Sequence, residues 1–513
     1  MRNIFFIALS ALVVVTAGSC KKSFLEPVNP NAVSVDNGLQ TESDITNAVN
    51  GVYQSLRSSY CIGENAQTWT DDRSDDVNTT DNQSNNGEPF QFTAFSLVAS
   101  NTYLYGHWAA LYVPIARANL VLSAIDKVSF GADSTKKQFT AELKFLRALM
   151  YFHLVREFGP VPLVTDRLTT LEQATALTFR VSRDSVYAQI VKDLTDVTTS
   201  NLPVVQPAAN KGRVSLQAAN GLLGQVYLTM ATTLGAAGKT ANLNNAQKYL
   251  LACYNQKTFS QLSSIPFADV FDVNKKTTCP EIILQIVYKQ GDANYYSSLA
   301  ANNQAKGETI NSLFVSTGAG GTLTNDLLKE FETGDTRTSF SIKYAAATSV
   351  QSYFITKFRD VSPATVVSGA VYGGNDWILL RYADIILNLA EVSMYLNDNT
   401  SAIQYLNMVR ARAGQPDYAT MMAQPAYATR YPTLKLAILH ERRIELAFEH
   451  HRWHDLLRFF TADELVTYIK TKSQADYNNS PLTNITTKDY YFPIPLTEYK
   501  LDPVRMYQNA GYN

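Results

Sequence analysis

The sequence predicts a mainly α fold, a scaffold of stacked helical hairpins interrupted by long irregular insertions and a few short strands. Three observations carry that prediction. Apolar residues recur at helical spacing over long segments, small residues stand where helices would cross, and no Pro/Ser-rich linker divides the chain. "AELKFLRALMYFHLVREFG" sets Leu143, Leu146, Met150 and Leu154 on one helix face. "LLRYADIILNLAEVSMYLND" does the same with Leu379, Ala383, Ile386, Ala390 and Met394.

Taken in order, the chain opens on a secretory leader over residues 1–19: Arg2, an apolar run from Ile4 to Val15, then Ala17, Gly18 and Ser19 before Cys20. The stretch resembles a bacterial lipobox with Ala17 where Leu is usual, which implies lipidation of Cys20 and tethering by several acyl chains. Residues 60–106 read as a polar, irregular insertion containing "DDRSDDVNTTDNQSNNGEP". Helices then follow over about residues 100–256, where "RDSVYAQIVKDLTDV" leads into "SLQAANGLLGQVYLTMATT" and "NNAQKYLLACYNQ". Ala218, Ala219, Gly221 and Gly224 allow close helix crossings, a tetratricopeptide-like arrangement. A second insertion spans about residues 257–377 and includes the strand-like "EIILQIVY", and the helical scaffold resumes over 378–460. Residues 20–513 are therefore expected to form one domain.

Composition excludes several function classes. The 44 basic and 45 acidic residues give a net charge of -1 with no basic block, so nucleic acid is not an expected partner. After Cys20, no run approaches the roughly 20 apolar residues of a membrane-spanning helix. Cys61, Cys253 and Cys279 form no metal-type spacing and allow at most one disulfide. There is no cofactor motif, nucleophile elbow or Walker loop. The 29 Tyr and 24 Phe, with abundant Asn and Thr, suit an extracellular chain that grips sugars or peptides.

Several passages carry a family resemblance: "WAALYVPIARANLVL", "GRVSLQAANGLLGQVYL", "RYADIILNLAEV", "LNMVRARAG", "LHERRIELAFEHHRWHDLLRF" and the closing "YYFPIPLTEYKLDP". In that order they resemble the SusD/RagB family of outer-membrane nutrient-binding lipoproteins. The resemblance implies a protein on the cell exterior that captures glycans, or in some members oligopeptides, for a SusC-like TonB-dependent transporter in the same membrane, with no catalytic residues and no cofactor.

Four of the six histidines fall between His440 and His454, and His450 and His454 stand four apart, as a helical metal pair would. The resemblance gives a blander reading. Glu441, Arg442, Arg443, Glu445, Glu449, Arg452, Asp455 and Arg458 match a family pattern of helix residues that knit the core, and His450 occupies a position usually held by Gly. Glu441, Glu445 and Glu449 are expected on one helix face, satisfied by arginines, with no metal.

Ligand contacts are expected in the insertions. Transferred by region, the resemblance points to Trp69, Arg73, Asp76, Asn101 and Tyr103 in the first and to Tyr295 and Tyr296 in the second, with Tyr372 and Trp377 as secondary candidates. Trp69 leads because it is a Trp in a polar stretch beside charged residues. Two rival readings are a surface glycoside hydrolase and a protein-binding helical scaffold. Asp71, Asp72, Asp75 and Asp76 offer carboxylates to the first, but so tight a cluster reads as a solvated acidic loop or a calcium contact rather than as two groups flanking a glycosidic bond.

Overall fold

Amphipathic segments that cannot bury their apolar faces alone stack on one another along the chain. The structure, a computed structural model, describes residues 38–512 except 79–82, 304–308, 312–313, 316–321, 345–352, 361–365, 368–369, 372 and 478–481. The leader, Cys20 and Tyr372 lie outside the described residues.

The principal helices are α1 (Glu42–Ser55), α2 (Thr102–Ile125), α3 (Asp133–Phe158), α4 (Arg183–Thr198), α5 (Leu216–Thr233), α6 (Lys239–Asn255), α7 (Tyr382–Tyr395) and α8 (Asn399–Arg412). Each packs on the next, so the series forms a continuous helical array. Helices α9 (Leu434–Glu445), α10 (Arg452–Phe459) and α11 (Ala462–Lys470) close it, with α9 lying on α7 and α8. Starts follow local chemistry: α1 opens on a capping box in which Thr41 and Asp44 satisfy each other's backbone N–H groups. The expected close crossing occurs at Gly224, where an added Cβ would meet the Leu250 side chain at 2.6 Å and its backbone nitrogen at 2.9 Å.

By length and composition α2 is apolar enough to cross a bilayer, contrary to the sequence reading. Its apolar residues are used in the core instead: Leu104, Leu111, Ile115, Ala118, Val121 and Ile125 are buried where it packs on α1 and α3.

The strands are short. β1 (Val77–Asn78), β3 (Thr322–Leu323), β5 (Tyr353–Ile355) and β4 (Ile342–Tyr344) form an antiparallel sheet in that spatial order. β2 (Ile282–Ile286) pairs antiparallel with β6 (Trp377–Arg381), Arg381 opposite Ile282. This pair carries Arg381 and the neighbouring Glu281 into the interior beneath α9, and Trp377 is a buried strand residue. Cys61, Cys253 and Cys279 are free and buried.

Candidate functional site

The polar stretch after α1 is largely interior, which corrects the reading of residues 71–76 as a solvated acidic loop. Asp71, Asp72, Arg73, Asp75 and Asp76 are all buried. Arg452 donates to both oxygens of Asp75, at 2.6 and 2.9 Å. Arg443 donates to Asp76 Oδ1 at 2.7 Å and to the Asp75 carbonyl at 2.6 Å. Burial pushes the Asp76 carboxyl up to about 6 against the pull of Arg443 and Arg452. Asp75 and Asp76 are thus spent on arginines of the scaffold.

Four of the expected contact residues are therefore structural. Arg73 is fully buried, donates to the Asp489 carbonyl and carboxylate at 3.0 and 3.1 Å, and lies among the rings of Phe95, Trp453 and Phe492. Asp76 is the Arg443 acceptor just described. Asn101 is the N-cap of α2: its side chain accepts from the Leu104 N–H at 3.0 Å and donates to the Glu88 carbonyl at 2.9 Å. Trp69, 2% exposed, stacks on His107 with ring centroids 4.1 Å apart. All four are buried, so none of them is presented to a ligand at the surface. A polar sequence misled here because the charges are paired rather than solvated.

Tyr103, Tyr295 and Tyr296 remain accessible, and the fold adds Tyr60 and Arg57, which the sequence reading omitted. The turn leaving α1 brings the two groups together. Arg57 lays its guanidinium over the Tyr295 ring at 4.5 Å and donates to the Val287 carbonyl at 3.0 Å. Three residues later, Tyr60 meets Tyr103 edge-on with centroids 5.6 Å apart, and Asn85 donates to the Tyr103 hydroxyl at 2.7 Å. Glu64 fastens this turn to the second insertion by accepting from the Ser298 N–H at 2.9 Å and from the Ser297 hydroxyl. The product is a rim of tyrosines with apolar faces and hydroxyl edges, braced by arginine and amide groups. Its signal in the sequence was "RSSYCIG", a tyrosine among small polar residues directly after a helix.

Tyr60 lies against α2 because residue 106 has no side chain. A Cβ at Gly106 would stand 2.9 Å from Tyr60 Cδ1 and 3.0 Å from Cγ. Gly106→Ala is accordingly expected to swing the Tyr60 ring off the helix and weaken ligand binding several-fold while the thermal midpoint barely moves. Parallel melting and titration of this variant check it.

In the interior, α9 carries the expected glutamates, with one difference in geometry. Glu441 and Glu445 lie on α9, but the helix ends at Glu445, and Glu449 reaches the interior from the following turn. Arg337 bridges Glu441 and Glu445 at 2.7 and 2.9 Å, Arg410 joins Glu441 to Glu332, and Lys357 donates to Glu449 at 2.6 Å. Arg412 binds both Glu281 and Glu445. Burial opposes the charge on Glu449, yet Arg381 and Lys357 hold it down to about 2.

The histidines divide. His450 and His454 do not share a helix face: His450 precedes α10 with φ of +62°, the left-handed region that explains why Gly suits the position. His440 is fully engaged, its ring nitrogens 2.6 Å from Glu330 and 2.9 Å from Glu332 and its ring stacked on Tyr431. Burial disfavours its charge, but the two carboxylates outweigh burial and raise its pKa. The stabilisation it supplies is full below the ordinary histidine value of about 6.5 and is lost as pH rises through the raised folded-state value. The stability difference between wild type and His440→Gln is therefore expected to be large near pH 6 and to shrink at higher pH, as urea titrations across that range would show.

Comparison with known proteins gives a consistent set of relatives. A family model described as the SusD family matches residues 340–512, and another, described as starch-binding associating with outer membrane, matches residues 23–228. SusD-like protein P25 of Formosa agariphila is 25% identical, covering 99% of this chain and 98% of the relative. A SusD-like protein of Bacteroides ovatus is 22% identical over 74% of this chain and 70% of its own. Among solved structures, a laminarin-binding SusD-like protein superposes with a TM-score of 0.73 at 24% identity, covering 92% of this chain and all of its own. Surface glycan-binding protein A from Bacteroides thetaiotaomicron gives 0.72 at 21% identity, again covering 92% of this chain and all of its own.

Proposed function

Because this chain belongs to the SusD/RagB family, we propose that it is a cell-surface lipoprotein, anchored in the outer membrane through Cys20, that binds extracellular glycans and delivers them to a partner TonB-dependent transporter. The observation that carries the proposal is the set of accessible tyrosines Tyr60, Tyr103, Tyr295 and Tyr296, in which Tyr60 meets Tyr103 edge-on and Arg57 lies over Tyr295. Aromatic faces stack on the C–H faces of sugar rings while Arg57, Asn85 and the tyrosine hydroxyls meet sugar hydroxyls. Several such contacts along one polymer gain by multivalency, so individually weak stacking is sufficient. Two proteins of similar structure point the same way by name, one a laminarin-binding SusD-like protein and one a surface glycan-binding protein.

The role is capture rather than turnover. Asp71, Asp72, Asp75 and Asp76, the clustered carboxylates that a hydrolase would draw on, are buried, and two of them are held by arginines. Calorimetric titration of the chain from Lys21 onward against laminarin, starch, host glycans and an oligopeptide pool tests the proposal, with release of reducing ends followed in parallel. Binding to a glycan without release is the expected result. Release of product would replace capture by hydrolysis, and binding confined to the peptides would move the substrate class.

A further inference from the structure

We propose that His153, Glu157 and His454 form a binding site for a divalent first-row transition metal of the Zn2+ class. The site lies below the surface, with His107 standing between its Glu157 and Tyr60 of the rim. Helix α3 sets His153 and Glu157 one turn apart on the same face, and α10 brings His454 across to them. Glu157 Oε1 is 3.1 Å from His153 Nδ1 and 3.6 Å from His454 Nε2, and one ligand atom from each residue lies within 4.8 Å of the others. A tetrahedral ion at about 2.0 to 2.1 Å from each donor sets donors about 3.4 Å apart, so small side-chain shifts close the geometry.

A second, independent observation points to a ligand. His454 is only 6% exposed, yet among the described residues neither of its ring nitrogens has a hydrogen-bond partner. A buried imidazole in that state lacks the compensation that interior polar groups normally find. The ring faces a cavity of about 100 Å³ that is also lined by His450 and His451, with room for water as a further ligand. His107 Nε2 lies 2.6 Å from the other oxygen of Glu157 and so fixes the carboxylate that would hold the ion. His153 keeps 16% side-chain exposure, which leaves the cluster a route to solvent.

Donor chemistry sets the class of ion. Two imidazoles and one carboxylate suit Zn2+, Ni2+ or Co2+, whereas Ca2+ and Mg2+ take oxygen ligands. Arg156 lies against the His153 ring, with Nη2 3.4 and 3.5 Å from its nitrogens, and its positive charge opposes the ion.

The test uses the untagged chain from Lys21 onward, dialysed against a chelator and titrated with Zn2+ by calorimetry and with Co2+ by visible absorption. One equivalent of each is expected, with a four-coordinate Co2+ spectrum. His153→Leu and His454→Leu are each expected to lower affinity at least tenfold, and His440→Gln to leave it unchanged. Arg156→Gln keeps all three ligands and is expected to tighten binding several-fold, which preserves the test should a leucine variant fold poorly. A wild-type chain that takes up no Zn2+, or the same affinity in wild type and in folded His454→Leu, overturns the assignment.

Discussion

Arg381→Met is expected to destabilise the protein by about 3 to 5 kcal/mol, the cost of leaving buried charge without its partner. Arg381 stands where β6 turns into α7 and is essentially inaccessible. Its Nε donates to Glu449 at 2.6 Å, Nη1 to Glu281 at 2.8 Å and Glu445 at 2.6 Å, and Nη2 to the Glu445 carbonyl at 2.8 Å and Glu449 at 2.6 Å. Methionine approximates the volume but supplies no donor, so three glutamates from three segments lose a shared counter-ion. Arg337, Arg412 and Lys357 remain, which is why the variant should weaken the fold rather than rearrange it. Denaturant unfolding should show a lower midpoint at unchanged slope. Lys137→Ala, which breaks only the exposed pair with Asp133, provides the control and should leave the midpoint where it was.

Trp69→Ala is the second large effect, expected to cost about 3 to 5 kcal/mol through the cavity it leaves. The indole packs between His107 and the Tyr60 ring, at centroid distances of 4.1 and 6.3 Å. Its loss should register in urea unfolding, while glycan affinity per folded molecule falls less than in Tyr295→Ala. The reverse pattern, intact stability with abolished binding, would return Trp69 to the ligand site.

The helical array was legible because its signals are local. The apolar spacing of α3 and α7 and the small residues of α5 depend on residues within a few turns. The ionic core was legible in part: the Glu/Arg pattern of residues 441–458 announced paired charges, but the end of α9 at Glu445 moved Glu449 to a different backbone setting. The acidic run at 71–76 was misread for a different reason. Asp75 and its partner Arg452 are 377 residues apart in sequence, so nothing near Asp75 reveals that its charge is matched. The same distance effect hid the rim, where Arg57 finds Tyr295 only after α1 and the second insertion come together. The His153, Glu157 and His454 cluster likewise unites two distant helices, whereas the more visible His450 and His454 spacing is broken by a left-handed backbone.

Glycan capture at the rim is tested most directly by comparing glycan affinity in wild type, in a Tyr60→Ala/Tyr295→Ala/Tyr296→Ala variant and in a Tyr344→Ala/Tyr353→Ala variant. The last pair is also exposed and in mutual contact, with centroids 5.1 Å apart across β4 and β5, so it controls for loss of surface tyrosine in general. At about 1 kcal/mol for each stacking ring, the triple variant should lose roughly a hundredfold or more in affinity. The double variant should bind as wild type does, and both should melt normally. Undiminished binding in the triple variant, or a loss confined to the double variant, would contradict capture at this rim.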